Sequence, residues 1–246
     1  MKVINVSAYV MLLASYSGVT AASQTHWGYD VSEGPAIWGK LSPEYSLCET
    51  GRNQSPVNIR EAMEAHTGQL QMSWAPVKQE IINNGHTVQI NTTKGDTLFL
   101  DKHEFTLMQF HFHSPSENEI DGKRFPLEAH FVYKDPRGDL AVVALMLQEG
   151  DENKTLSYAW EKLPESTGNT AIINPAVDIK ALMPEDKSYY RYSGSLTTPP
   201  CSEGVRWLVL KNSVNVSREQ INKFMKVIHN YNSRPVQRLN GRVIVD

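Results

Sequence analysis

The chain has 246 residues, 40% of them hydrophobic, which is enough for one large core without a split into domains. Its formal charge of −3 argues against a phosphate-binding surface and for a protein that handles small molecules. After the N-terminal region there is no apolar run of about 18 residues or more, so no later segment reads as a membrane span.

Lys2, an apolar stretch from about Val3 to Ala14, and the small residues Ser17-Gly18-Val19-Thr20-Ala21-Ala22 read as a secretory signal cleaved near Ala21 or Ala22. This predicts a signal over residues 1–22 and one domain over 23–246, in the periplasm or outside the cell. Only two cysteines are present, Cys48 and Cys201, and neither lies in a ligand-like cluster. In an exported chain an even count points to a disulfide.

The first segments of the exported part, Gln24 to Tyr29 and Pro35 to Gly39, space their tryptophans with polar residues, as coil laid over a core does. Asn53-Gln54-Ser55-Pro56-Val57-Asn58-Ile59 reads as a pinned turn leading into a strand. Between about Leu70 and Leu100 the segments are short and strand-like, broken at Asn83-Asn84-Gly85-His86 and Lys94-Gly95-Asp96, with Val88-Gln89-Ile90-Asn91 alternating as a half-buried strand does.

Thr106 to His113 and Leu127 to Tyr133 are predicted strands with an unusual content. Successive side chains of a strand point to opposite faces, so Gln109, His111 and His113 share one face while Phe110 and Phe112 press into the other. Glu128-Ala129-His130-Phe131 repeats the pattern. Three neutral imidazoles with no thiolate suit Zn²⁺ with one position left open, the arrangement of a catalytic ion. Gln109 and Glu128 each stand two positions before a histidine, where they suit the second ring nitrogen of His111 and His130.

Asp139 to Leu147 is an apolar run fit for the centre of a sheet. Leu156, Trp160 and Leu163 follow a helical stripe, and Ser217-Arg218-Glu219-Gln220 is a capping-box pattern opening the stripe Ile221, Phe224, Met225 and Ile228. Thr197-Thr198-Pro199-Pro200 cannot continue a ladder, because two prolines remove two donors, and is predicted as a rigid loop before the strand Val205 to Leu210.

Taken together, these segments resemble the α-class carbonic anhydrases of the exported bacterial type. The resemblance is carried by His26-Trp27-Gly28-Tyr29, Gln54-Ser55-Pro56-Val57-Asn58-Ile59, Asn83-Asn84-Gly85-His86, Gln109-Phe110-His111-Phe112-His113, Ser116-Glu117-Asn118, Glu128-Ala129-His130, Ser193 to Pro200 and Asn232 to Gln237, in that order. It implies a mainly β domain of the α+β class, with a large twisted, mostly antiparallel sheet of about ten strands and short peripheral helices. It also implies cis bonds at Ser55-Pro56 and Pro199-Pro200.

Zinc ligation by His111, His113 and His130 follows from the same resemblance, with Gln109, Glu128 and the Asn232 carbonyl orienting the rings. So does reversible hydration of CO₂ by zinc-bound hydroxide, the ion lowering its water's pKa to about 7, a value for which carbonic anhydrase is itself the standard example. Thr197 and Glu117 are matched to the pair that orients the hydroxide, and His86 to the proton shuttle, a task that suits a group titrating near neutrality. Val132, Val142, Leu196, Val205 and Trp207 are matched to the apolar CO₂ wall, with Thr197 and Thr198 beside it. Tyr29, Asn84, Gln89 and Gln109 are matched to the wet side. The implied partners are CO₂ and bicarbonate, not nucleic acid, and related exported enzymes are often dimers, although no feature here fixes an interface.

The chain departs from the animal enzymes in carrying Ser114-Pro115-Ser116 after the second ligand, only sixteen residues between His113 and His130, and Tyr133 where many relatives have histidine. Two other readings stand beside this one. A cupin-type metal protein would use Glu117 as a ligand, but the glycine expected about six residues before the first histidine is replaced by Phe105. A noncatalytic module on the same scaffold would have lost a ligand histidine.

Overall fold

The structure is a computed structural model that describes residues 25–65, 67–93 and 95–246. The expected secretory signal lies outside the described residues. Short alternating segments form thirteen strands: β1 Asn58–Ile59, β2 Gln71–Ser73, β3 Gln79–Asn83, β4 Val88–Thr92, β5 Thr97–Leu100, β6 His103–His113, β7 Glu119–Ile120, β8 Leu127–Lys134, β9 Leu140–Glu149, β10 Thr170–Ile173, β11 Tyr189–Ser195, β12 Glu203–Leu210 and β13 Val214–Val216. Eleven build one sheet in the order β10-β3-β4-β6-β8-β9-β12-β11, with β5 and β2 extending from β6 and β13 lying beside β9, while β1 and β7 form a separate parallel pair.

The pairings are mostly antiparallel, and β12 and β13 run parallel to β9. That puts the apolar run of β9 at the sheet centre with both faces covered. Its Ala141, Val143, Leu145 and Leu147 enter one core, and Val142, Ala144 and Met146 the other.

Five helices are short: α1 Trp38–Leu41, α2 Leu47–Thr50, α3 Lys154–Glu161, α4 Ile179–Leu182 and α5 Arg218–Ile228. The expected capping box opens α5: the Ser217 hydroxyl accepts from the Gln220 amide and the Gln220 side chain accepts from the Ser217 amide. Helix α3 ends before Leu163, which packs into the core from just beyond it. Trp160 of α3 and Phe224 of α5 meet Phe112 edge-on at ring separations of 4.9 and 6.2 Å, and Phe110 stacks on Phe131 at 5.1 Å. The aromatic face of β6 is thereby clamped under the helices, and the opposite face is left to polar residues.

One detail of β6 was not foreseen. Leu107 pairs with Tyr133 and Gln109 with Val132, so Met108 is an extra residue, half exposed at 46%. Before this bulge the odd-numbered Phe105 and Leu107 face the aromatic core; after it the even-numbered Phe110 and Phe112 do. The bulge reverses which face the later side chains reach.

The proline loop is tied down from several sides. Cys48 and Cys201 form a disulfide with Cα atoms 5.1 Å apart. The Gln54 side-chain amide donates to the Cys201 carbonyl at 3.0 Å, and Ser55 and Ser195 exchange hydrogen bonds of 2.9 and 3.1 Å. A Cβ on Gly194 would collide with the Ser55 hydroxyl, so only glycine lets these chains approach. Cis bonds occur at both expected prolines and also at Ser114-Pro115 and Asn174-Pro175.

Because the bridge joins residues 153 positions apart, chain-entropy models put its contribution at up to about 5 kcal/mol. The double variant C48S/C201S is expected to lose about 2–5 kcal/mol of unfolding free energy in a urea titration, and wild-type protein under reducing agent should lose a similar amount.

Candidate active site

The register of β6 against β8 sets His111 directly opposite His130 and His113 opposite Glu128. The three imidazoles lie with ring centroids 4.6 to 5.4 Å apart, and one nitrogen from each lies within 4.8 Å of the others. Tetrahedral ligation at about 2 Å needs nitrogens about 3.3 Å apart.

The second nitrogen of each ring is already engaged. His111 Nδ1 is 2.8 Å from Gln109 Oε1, His113 Nδ1 is 2.7 Å from the Asn232 carbonyl, and His130 Nε2 is 2.9 Å from Glu128 Oε1, off the line of a well-directed hydrogen bond. These contacts leave Nε2 of His111, Nε2 of His113 and Nδ1 of His130 to face a common point. His113 Nε2 is buried with no hydrogen-bond partner, a costly state for a polar atom unless something coordinates it.

Burial holds His111 and His130 well below the usual histidine range, and His113 below it with the Asn232 carbonyl opposing. The rings are therefore neutral, as metal ligation requires. This donor set fits a zinc ion.

The supports of the rings are themselves satisfied. Glu128 Oε2 accepts from the Glu117 and Asn118 amides at 2.6 and 2.8 Å, and its Oε1 accepts from the Asn118 side chain at 2.7 Å. Burial raises its pKa and these donors oppose the rise. Asn232 also donates to the carbonyls of His86 and Phe112 and accepts from the Ser114 amide. It ties the turn carrying His86, at that residue's carbonyl, to the end of β6.

Glu117 is fully buried and accepts from the Arg234 amide at 2.8 Å. Its other oxygen lies 3.5 Å from His113 Nε2 and 3.9 Å from His130 Nδ1. Burial pushes this carboxyl up to about 8, with the Arg234 amide and then the Thr197 hydroxyl pulling it back. The Thr197 contact is close enough to act electrostatically but does not meet hydrogen-bond geometry at the outer oxygen.

The histidines open into a cavity of about 250 Å³. Of the expected apolar wall, Val132, Val142, Leu196 and Trp207 line it, as do Thr197 and Thr198. Val205, expected in the same wall, is 2% exposed and packs in the second core on the same face of β12 as Trp207, which lines the cavity. Trp207 stands edge-on to His130 at 4.9 Å, with its indole N–H held by the Ser195 carbonyl. Tyr29, Asn84, His86, Gln89 and Gln109 form the polar side, with the Asn84 amide donating to Gln89 at 3.4 Å.

Sequence reasoning passed over Trp27, on which His86 stacks at 3.7 Å, and over Asn118 and Arg234. All three sit inside the motifs quoted above. For the last, the sequence shows only an arginine before a proline, and its burial appears in the fold alone.

Residues 33–246 match the family model described as eukaryotic-type carbonic anhydrase. A carbonic anhydrase of Pectobacterium atrosepticum is 56% identical over 239 residues, 97% of this chain and 98% of that protein. One of Neisseria gonorrhoeae is 43% identical over 240 residues, 96% of this chain and 95% of that protein. Among solved structures, the α-carbonic anhydrase of Thermovibrio ammonificans in complex with the inhibitor sulfanilamide aligns with a TM-score of 0.89 at 44% identity, covering 91% of this chain and 100% of that one. Similarity along almost the whole chain sets the cupin alternative aside.

If the partners on the far ring nitrogens hold the ligands in place, Q109A and E128Q should each weaken zinc affinity by about 10–100-fold. Competition with a chromophoric chelator measures this, with H113A as the variant expected to lose the site.

Proposed function

The chain belongs to the carbonic anhydrase family, in its α class, and from that premise we propose that it hydrates CO₂ reversibly at a zinc ion held by His111, His113 and His130. The observation that supports this most is the convergence of three neutral imidazole nitrogens whose far nitrogens are each restrained. Zinc at that point supplies a Lewis acid and a water acidified to about pKa 7, as carbonic anhydrase itself exemplifies.

The surrounding side chains divide the remaining work. Glu117 spends one oxygen on the Arg234 amide, and its other oxygen, which has no hydrogen-bond partner as it stands, is the acceptor toward which the Thr197 hydroxyl would turn once the ion is bound and the carboxyl ionised. A Thr197 hydroxyl that donates there could only accept a hydrogen bond from the attacking oxygen, which would turn a lone pair of that oxygen toward the substrate carbon. Val132, Val142, Leu196 and Trp207 provide a wall without hydrogen-bonding groups, where CO₂ displaces little water.

The proton released by each turnover leaves by the polar side, through His86. Burial holds His86 below the ordinary histidine value, the His26 charge adds to this, and Glu33 opposes it. The ring therefore remains a free base, able to take a proton, further down the pH scale than an exposed histidine.

We place the mature protein in the periplasm or outside the cell after cleavage near Ala21 or Ala22. The Cys48–Cys201 bridge supports an oxidising compartment. Among the described residues, no helix is long and apolar enough to cross a membrane.

Stopped-flow CO₂ hydration by purified protein, with and without a zinc chelator, tests the proposal: activity should fall to background on removal and return with zinc, and activity indifferent to the metal would refute it. T197A should lower kcat/KM by about 100-fold, the scale of one lost orienting or stabilising hydrogen bond. H86A should lower kcat by roughly tenfold or more in dilute buffer, leave kcat/KM near wild type, and be rescued by added imidazole.

A further inference from the structure

A groove of about 360 Å³ shares no lining residue with the catalytic cavity. One wall is the loop Trp74 to Val77 between β2 and β3, and the other is Ala176 to Lys180, which leads into α4. Asp96, just before β5, lines it as well. A space of this size lies at the small end of the roughly 300–1,000 Å³ that ligand pockets occupy.

Both walls are held in place. The Gln79 side chain, 1% exposed, donates to the Val177 carbonyl at 3.0 Å and accepts from the Val177 amide at 2.8 Å, which stitches the second wall to β3. A Cβ on Gly95 would strike Val77 and crowd Ala75, so glycine lets the segment at Asp96 lie against the first wall. The Ala75 amide then donates to Asp96 Oδ1 at 2.8 Å, and the Leu107 amide to the Asp96 carbonyl at 2.9 Å.

Asp96 is only 4% exposed, yet its carboxylate has little to satisfy it. The Ala75 amide occupies one oxygen; among the described residues the other accepts no hydrogen bond, and the group has no ion pair. Burial raises its pKa, the Ala75 amide opposes this, and the charge of the exposed Asp178 raises it further. Tyr133 Oη, buried and without a hydrogen-bond partner, feels the same Asp96 charge. A buried acid in this state is costly unless a cation or a donor reaches it. Lys180 is the remaining charged group of the lining, so two acids against one lysine leave a single negative charge, in a groove otherwise apolar through Trp74, Val77, Val177 and Ile179.

We propose that this groove is a second binding site, for a small organic monocation: a primary ammonium carried on an apolar body. The ammonium donates to Asp96 and is drawn by Asp178, and the body lies against Trp74, Val77 and Val177, where the indole face also favours a cation. One positive charge matches the one net negative charge of the lining. A bare divalent ion fits less well, because it needs six or more oxygens, and among the described residues the group of three or more ligand side chains is that of His111, His113 and His130. Binding here requires none of the zinc ligands and stands apart from CO₂ chemistry.

The test titrates the zinc-loaded mature protein with 2-phenylethylammonium at neutral pH and follows assigned methyl and indole signals by NMR. Shifts should saturate at Val77, Val177, Ile179 and Trp74, with a Kd on the order of 1 mM, the scale a ligand of this size reaches. Neutral 2-phenylethanol should bind the wild type about tenfold more weakly or worse, because the charge-assisted contact to Asp96 is lost. D96N should weaken the ammonium by about tenfold or more and D178N by about two- to threefold, its carboxylate being screened by solvent. K180A, which removes a like charge, should tighten binding by about twofold. If D96N does not fold, the comparison of ammonium with alcohol on the wild type decides alone. Equal affinity for the two probes, ammonium binding unaffected in folded D96N, or saturable shifts confined to Trp27 and Leu196 of the catalytic cavity would each overturn the site.

Discussion

A strand offers only every second side chain to one face, and the centre of this molecule depends on how β6 meets that constraint. Its first half must bury Phe105 and Leu107, and its second half Phe110 and Phe112, in the same core. Odd positions cannot do both jobs and also carry His111 and His113 into a cavity. The extra residue Met108 resolves the conflict by reversing the parity in mid-strand. Register with β8 then sets His111 across from His130, so two ladders contribute to one ligand set. A slip of one residue would exchange the histidines with the phenylalanines and destroy both core and site.

Polar atoms held this far from water are tolerable only where each finds a partner. Glu128 is surrounded by donors from Glu117 and Asn118, and Asn232 uses its side chain and carbonyl to join the His86 turn to the ligand strand. Arg234 is 1% exposed and donates to Gln54, Ser55 and the Cys48 carbonyl, while its amide reaches Glu117. One buried residue thus connects the disulfide strap, the turn at Pro56 and the carboxylate beside the ligands. Among the buried atoms left without a hydrogen-bond partner, His113 Nε2 and Glu117 Oε2 lie 3.5 Å apart where the three rings converge.

The cavity is asymmetric for a physical reason. Its dry side is made by β8, β9 and β12, whose side chains on that face continue into the second core, so this wall is the flank of a packed interior. Its wet side is made by β4 and the turn after β3, whose side-chain amides line the cavity. On the function proposed above, substrate and proton would take different routes, and His86 stands where the polar side meets the N-terminal turn.

Much of this was legible in the chain itself. Alternation in Gln109 to His113 and Glu128 to His130 determined that the imidazoles share a face with Gln109 and Glu128, because strand geometry leaves no other choice. The capping residues of α5 and the prolines after Thr198 likewise act through their nearest neighbours, so local sequence determined them. Tertiary structure alone decided the bulge at Met108, since a parity change is visible only against a paired strand, and it decided that Trp207 meets His130 edge-on at the cavity wall. It also decided the company of His86: nothing in sequence order says that a turn histidine will lie on Trp27 and look across at His26 and Glu33. Those contacts join residues more than fifty positions apart, and packing of the whole sheet is what brings them within reach.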